Sequence, residues 1–142
     1  MSNREKGEAF ARAVGKYLKT KGLVLEAEYP LEVGLSSTRK KSHRFDFGND
    51  RMIIECKHYD WTKGGHNPSA KISTLNEAMT YLYSAPSSLR KMVFVSATGK
   101  KGVRNPETFA EYYIRLHGHF VPDDIEFFEF DAETFEARKI NV

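Results

Sequence analysis

The chain has 142 residues and 16.3 kDa, the size of one ordinary domain, and its 40% hydrophobic and 29% charged content suits a folded core rather than a disordered or low-complexity segment. Its longest apolar runs, such as Met52-Ile53-Ile54, fall far short of the about 20 residues a membrane helix needs, and the single cysteine, Cys56, excludes an internal disulfide. The net charge of +3 is uneven: residues 1–104 carry 19 Lys/Arg against 10 Asp/Glu and residues 105–142 carry 3 against 9, so a cationic surface for a polyanion is expected on one face and an acidic one on another.

A charged start, Met1-Ser2-Asn3-Arg4-Glu5-Lys6, with no apolar signal segment behind it leads us to expect a soluble, cytoplasmic protein with no membrane partner. From Asn3 to Lys21 the apolar residues Phe10, Ala13, Val14, Tyr17 and Leu18 form the stripe of an amphipathic helix, which Gly22 ends. Leu23 to Val33 alternates as a strand, with an irregularity expected at Pro30. Gly34 to Ser42 has loop chemistry and a basic crest, and two strands follow, His43 to Phe47 and Arg51 to His58, joined by the turn Gly48-Asn49-Asp50. Pro68 suits the first turn of a second helix with Ile72, Leu75, Met79 and Leu82 on its stripe; Lys91 to Ala97 is an apolar strand. Pro106 is expected to open a third helix with Phe109, Tyr112, Tyr113 and Leu116 inward, and Ile125 to Phe130 reads as a last strand. The resulting order, αβββαβαβ, implies one α/β domain over residues 1–142, a mixed sheet with helices on its faces.

Chemistry concentrates on the hairpin. Along the strand after the turn, Ile53, Glu55 and Lys57 share one face and Met52, Ile54 and Cys56 the other, so two charges project from an otherwise apolar strand. Buried charge is costly unless it is paired or holds a metal. Asp46 stands between Phe45 and Phe47 in the preceding strand, and antiparallel pairing around the turn brings it towards Glu55. Two carboxylates repel at short range, whereas a divalent cation between them reverses the sign of the problem. Hard oxygen ligands suit Mg²⁺, with Mn²⁺ as a substitute, and a neighbouring ammonium suits hydrolysis of a phosphodiester. A plain Glu55–Lys57 ion pair with Asp46 as a turn residue is the structural alternative.

Asp46, eight intervening residues, then Glu55-Cys56-Lys57, preceded by a helix and a strand, resembles the PD-(D/E)XK nuclease superfamily, which includes many restriction endonucleases and small Holliday-junction resolvases. Phe45 stands where the motif's Pro would be. The resemblance implies a restriction-endonuclease-like core. It also implies Asp46 and Glu55 as metal ligands, the Cys56 backbone carbonyl as a further one, and Lys57 as the residue that helps activate water. Many members place another Glu on the first helix; Ala11 occupies that place here, and Glu8, one turn earlier, either reaches the metal through a water or is a solvated helix-start glutamate. Glu5 is a further candidate.

Around the hairpin, Arg39, Lys40, Lys41, His43 and Arg44 are candidates for gripping phosphates, with Lys63, His66, Lys71, Lys100, Lys101 and Arg104 as possible extensions. Glu77 and Tyr81 lie off the second helix's stripe and read by default as exposed, and Trp61 reads as a packed rim residue. One Cys and scattered His, including His58, His117 and His119, do not supply a structural zinc site. The expectation is a Mg²⁺-dependent endonuclease acting on DNA, structure-selective or short-site cutting, working as a homodimer. The alternative is a nucleic-acid-binding protein of the same fold with little or no hydrolysis.

Overall fold

Ser2 and Glu5 open the first helix with a reciprocal cap, each side chain taking the other's backbone N–H, and Gly22, at φ +80°, ends it. In the computed structural model, which describes residues 1–61, 69–99 and 102–142, this helix is α1 (Asn3–Thr20). It is followed by β1 (Glu26–Val33), β2 (Lys41–Gly48), β3 (Met52–Lys57), α2 (Ser69–Ser84), β4 (Arg90–Ser96), α3 (Phe109–His117), a 3-10 turn (Gly118–Phe120), β5 (Ile125–Asp131) and β6 (Glu136–Ile140). Pro68, expected at the start of α2, lies outside the described residues. The third helix starts later than its proline suggests. Thr108 caps it and Glu111 returns the bond, so the start is set by a capping box rather than by Pro106.

The six strands lie side by side in chain order. β3, β4 and β5 are parallel, while β1–β2, β2–β3 and β5–β6 are antiparallel, so the expected mixed α/β sheet is present. β6 is an addition to the expected order. Its exposed charges alternate with Ala137 and Ile140 over only five residues, a pattern too polar and short to stand out in sequence.

The two faces of the sheet carry separate cores. On one, Phe10, Val14 and Leu18 of α1 pack on Met52, Ile54, Met92, Phe94 and Phe130; on the other, Leu75, Met79 and Leu82 of α2 and Phe109 and Tyr113 of α3 pack on Phe45, Ile53, Val93, Val95 and Phe127. Each such side chain contributes about 1.5–3 kcal/mol by leaving water. β4, buried along all but its first residue, is shared by both cores. Among the described residues no helix is long and apolar enough to cross a membrane.

The turn after β2 is built by Asn49, whose Oδ1 accepts the N–H groups of Arg51 at 2.8 Å and Met52 at 3.0 Å. Gly48, just before it, packs under Tyr29: a Cβ there would lie 2.6 Å from the ring's Cδ2 and 2.8 Å from Cγ, the rigid root of the side chain. Gly48→Val is therefore expected to destabilise the fold by about 1–3 kcal/mol through overpacking, read as a lower denaturant midpoint; an unchanged midpoint would contradict this packing.

Candidate functional site

The hairpin is irregular exactly where its charges sit. β2 and β3 pair at Phe47↔Ile54 and Gly48↔Ile53 only, and the β1–β2 ladder passes from Ala27↔Phe47 to Tyr29↔Phe45 without a Glu28–Asp46 pair. Glu28 adopts φ +52°, a left-handed conformation unusual for a residue with a side chain. Phe45 belongs to the core under α2 and α3 whereas Phe47 packs into the core under α1, although residues two apart on a regular strand share a face. The strand therefore rotates at Asp46, and the sequence reading's irregularity at Pro30 falls instead at Glu28. In the gap so opened, Asp46 Oδ2 accepts the Cys56 N–H at 2.7 Å.

Glu55, 4% exposed, is held by different partners. Its Oε1 lies 3.2 Å from His43 Nε2 and its Oε2 3.7 Å from Lys57 Nζ. The His43 ring stacks on Tyr81 of α2, centroids 3.8 Å apart and planes 11° from parallel, and meets Phe45 edge-on. Tyr81, read from sequence as an exposed helix residue, is half-buried and fixes the imidazole.

Burial dominates the protonation of the group. It pushes the Glu55 carboxyl up to about 8, with the negative charge of Asp46 adding to the rise and Lys57 opposing it. Burial likewise raises Asp46, against the lowering effect of the Cys56 N–H and of Lys57. It lowers His43, with Lys57 acting in the same direction. Near neutral pH the proton thus rests on Glu55, whose O–H can donate to a neutral His43. Burial also drives the Cys56 thiol well upward, so it remains a thiol and is no soft metal ligand.

Asp46, Cys56 and Lys57 line a groove of about 1010 Å³ that runs between α1 and β1; Glu8 and Ala11 of α1 line it as well. Glu55 is on the α2 side of the fork, next to His43, and does not line the groove. Glu8 pairs with Arg4 at 3.1 Å and keeps its side chain 53% exposed, while Glu5 is occupied by the helix cap.

Of the five basic-loop and strand candidates, only His43 reaches the acids, as a partner of Glu55. Arg39, Lys40, Lys41 and Arg44 are exposed and outside the groove lining, and Lys40 Nζ donates to the Gly34 carbonyl at 2.8 Å. Lys41 stands five residues before Asp46, about 17 Å along an extended strand. Lys71 lines the groove, Arg104 is exposed elsewhere, and Lys63, His66, Lys100 and Lys101 lie outside the described residues. Trp61 is packed as expected, its indole N–H donating to the Thr98 carbonyl at 3.1 Å. Sequence reasoning missed Arg12, Lys16 and Lys19 of α1, which line the groove; their 4 and 3 spacing puts them on one helix face, a signal hidden by attention to the denser loop. Among the described residues no cluster of three or more His, Cys, Asp or Glu side chains is disposed to hold an ion.

Glu55 keeps its proton up to about pH 8 in the folded protein but only up to its ordinary 4.5 when unfolded, so across that window the folded state binds more protons and loses stability as pH rises. The lowered His43 works in the opposite sense around and below its ordinary 6.5, which leaves the interval above neutrality to Glu55. In chelator, thermal unfolding of the wild type should fall between pH 7 and 8.5 while that of Glu55→Gln stays level; parallel curves would refute the assignment. No family model, curated protein or solved structure matches this chain, so its chemistry is read from these distances and charges.

Proposed function

We propose that the chain is a Mg²⁺-dependent endonuclease acting on DNA, of the PD-(D/E)XK kind, with Asp46, Glu55 and Lys57 at its centre. The observation that carries this reading is the fork between β2 and β3, where Asp46 accepts the Cys56 N–H and the buried Glu55 lies 3.7 Å from Lys57, beside a cationic groove that Asp46 and Lys57 line. The order αβββαβαβ, with β6 appended, is consistent with a restriction-endonuclease-like core.

The donor set fits a hard cation. Burial raises both carboxyls and the charge of Asp46 raises Glu55 further, a strain that a divalent ion relieves. Mg²⁺ commonly takes one or two carboxylates and leaves the rest of its shell to water and phosphate, so Asp46 and Glu55, with the Cys56 carbonyl, would suffice to hold it. When bound, Mg²⁺ or Mn²⁺ supplies Lewis acidity towards a phosphate oxygen. The chain's own residues do the rest. Lys57, anchored 3.7 Å from Glu55, presents Nζ to the attacking water or to charge developing on the phosphate. His43 and Tyr81 hold Glu55 in place. Cutting both strands with one such site per chain is most simply done by two copies about a two-fold axis, so a homodimer is part of the proposal.

A second reading, a DNA-binding protein with this fold and little or no hydrolysis, is favoured by one observation: the groove position where a helix glutamate would add a ligand is Ala11, and Glu8 is tied to Arg4.

Purified protein incubated with duplex, single-stranded and branched DNA in Mg²⁺, Mn²⁺ or chelator separates the two. Metal-dependent cleavage, reduced about a hundredfold or more in Lys57→Ala, supports the nuclease. Binding that survives chelator without product supports the second reading, and absence of both binding and cleavage defeats the two together. Independently of turnover, millimolar Mg²⁺ at pH 8 should raise the melting temperature of the wild type and leave that of Asp46→Asn unmoved.

A further inference from the structure

The groove has a composition of its own. Six cationic side chains line it, Arg4, Arg12, Lys16, Lys19, Lys57 and Lys71, against three carboxylates, Glu8, Glu28 and Asp46. Four of the cations come from α1, a helix whose opposite face is buried through Phe10, Val14 and Leu18. At 100° per residue, Ala11 and Gly15 fall between that buried face and Arg12, Lys16 and Lys19, so the wall next to the sheet carries little side-chain bulk there. At Gly15 the trough is as close as it can be: a Cβ would lie 2.7 Å from Phe47 Cζ.

The cations differ in whether they are free. Arg4 is paired with Glu8, Lys6 with Asp60, and Lys40 with the Gly34 carbonyl. Arg12, Lys16 and Lys19 are exposed and make no ion pair among the described residues. They span seven residues of helix, about 10 Å, close to three nucleotide steps of about 3.4 Å each along the axis of a duplex. Unpaired, regularly spaced and exposed beside a trough that ends at Asp46 and Lys57, they match a phosphodiester backbone better than a compact anion.

We infer that Arg12, Lys16 and Lys19 of α1 form the phosphate track that lays a DNA strand along the groove towards Asp46, and that the loop crest Arg39-Lys40-Lys41 does not carry this binding. The inference rests on the DNA-directed reading above and holds for either form of it, cutting or binding alone. Geometry separates the two basic sets: the helix cations share the groove with Asp46, whereas the crest lies at the far end of β2 and lines none of it.

The test is fluorescence anisotropy with a labelled 30-nucleotide DNA, as duplex and as single strand, in chelator over a range of salt. Arg12→Gln/Lys16→Gln/Lys19→Gln is compared with Arg39→Gln/Lys40→Gln/Lys41→Gln, each checked by circular dichroism and melting temperature. All six positions are exposed, so both variants should fold. The helix variant should lose at least about tenfold in affinity and flatten the dependence of log K on log salt by about two to three, while the loop variant stays within about threefold of wild type. Loss confined to the loop variant, or equal loss in both, overturns the track while leaving the DNA-directed reading intact. A wild type that binds neither DNA defeats that reading and the track with it.

Discussion

The Cys56 N–H donating to Asp46 is the contact on which the site's arrangement depends. Beyond Phe47 and Ile54 the two strands part, and a parted ladder leaves backbone donors that must find partners if they are not to be costly. Asp46 meets that need, and in doing so is drawn into the fork rather than out to solvent. The left-handed turn at Glu28 on the next strand is the other half of the same distortion: it lets β1 follow β2 as both rotate. Phe45 and Phe47 then anchor the rotation from opposite sides, each in a different core. Local strain of this kind persists only where surrounding packing over-determines it, and here two cores do so.

The charge asymmetry of the chain acquires a structural meaning from the ion pairs. The acidic segment draws cations from the basic body: Arg90 pairs with Glu126 and the buried Lys91 with Asp124. Within the segment itself Arg115 pairs with Glu107, and Arg138 with Glu111 and Glu129. Acids at that edge are thus largely answered by neighbours. The fork is different: burial raises both Asp46 and Glu55, the charge of Asp46 adds to the rise at Glu55, and Lys57 alone of the lysines opposes it at both. A structural ion pair would be expected to balance; an unbalanced, buried acidic pair is the arrangement more often found where chemistry is done.

Much of this was legible in the residues. The stripe Phe10, Val14, Leu18 located α1 and its inward face, and the apolar alternation around Ile53 and Ile54 located β3, because hydrophobic periodicity is the strongest local signal and these segments sit on the core. The approach of Asp46 to the next strand, where it accepts the Cys56 N–H, and the common face of Glu55 and Lys57 followed from hairpin arithmetic. The rotation at Asp46 did not, because it arises from competition between two cores that only the folded sheet brings together. For the same reason Tyr81 could not be foreseen as the platform for His43: the two are 38 positions apart, and no local rule links a helix residue to a strand it packs beside. His43 itself looked like one more cation in a basic run, and burial beside Glu55 gave it another task. β6 escaped because an edge strand of charged residues is, in sequence, hard to tell from a loop.

Helix α1 joins these observations, since the same few turns serve the core on one side and the groove on the other. A larger residue at 15 would run into Phe47; Gly15 leaves room for that ring, at the cost of helix propensity that packing through Phe10, Val14 and Leu18 has to offset. An acid at position 11 would stand in the groove that Ala11 lines. With Ala11 there, the only carboxylate that α1 presents to the groove is Glu8, a turn nearer the helix start, and it is held only by an exposed pair with Arg4, a contact worth about 0–1 kcal/mol. So weak a pair places little constraint on either side chain.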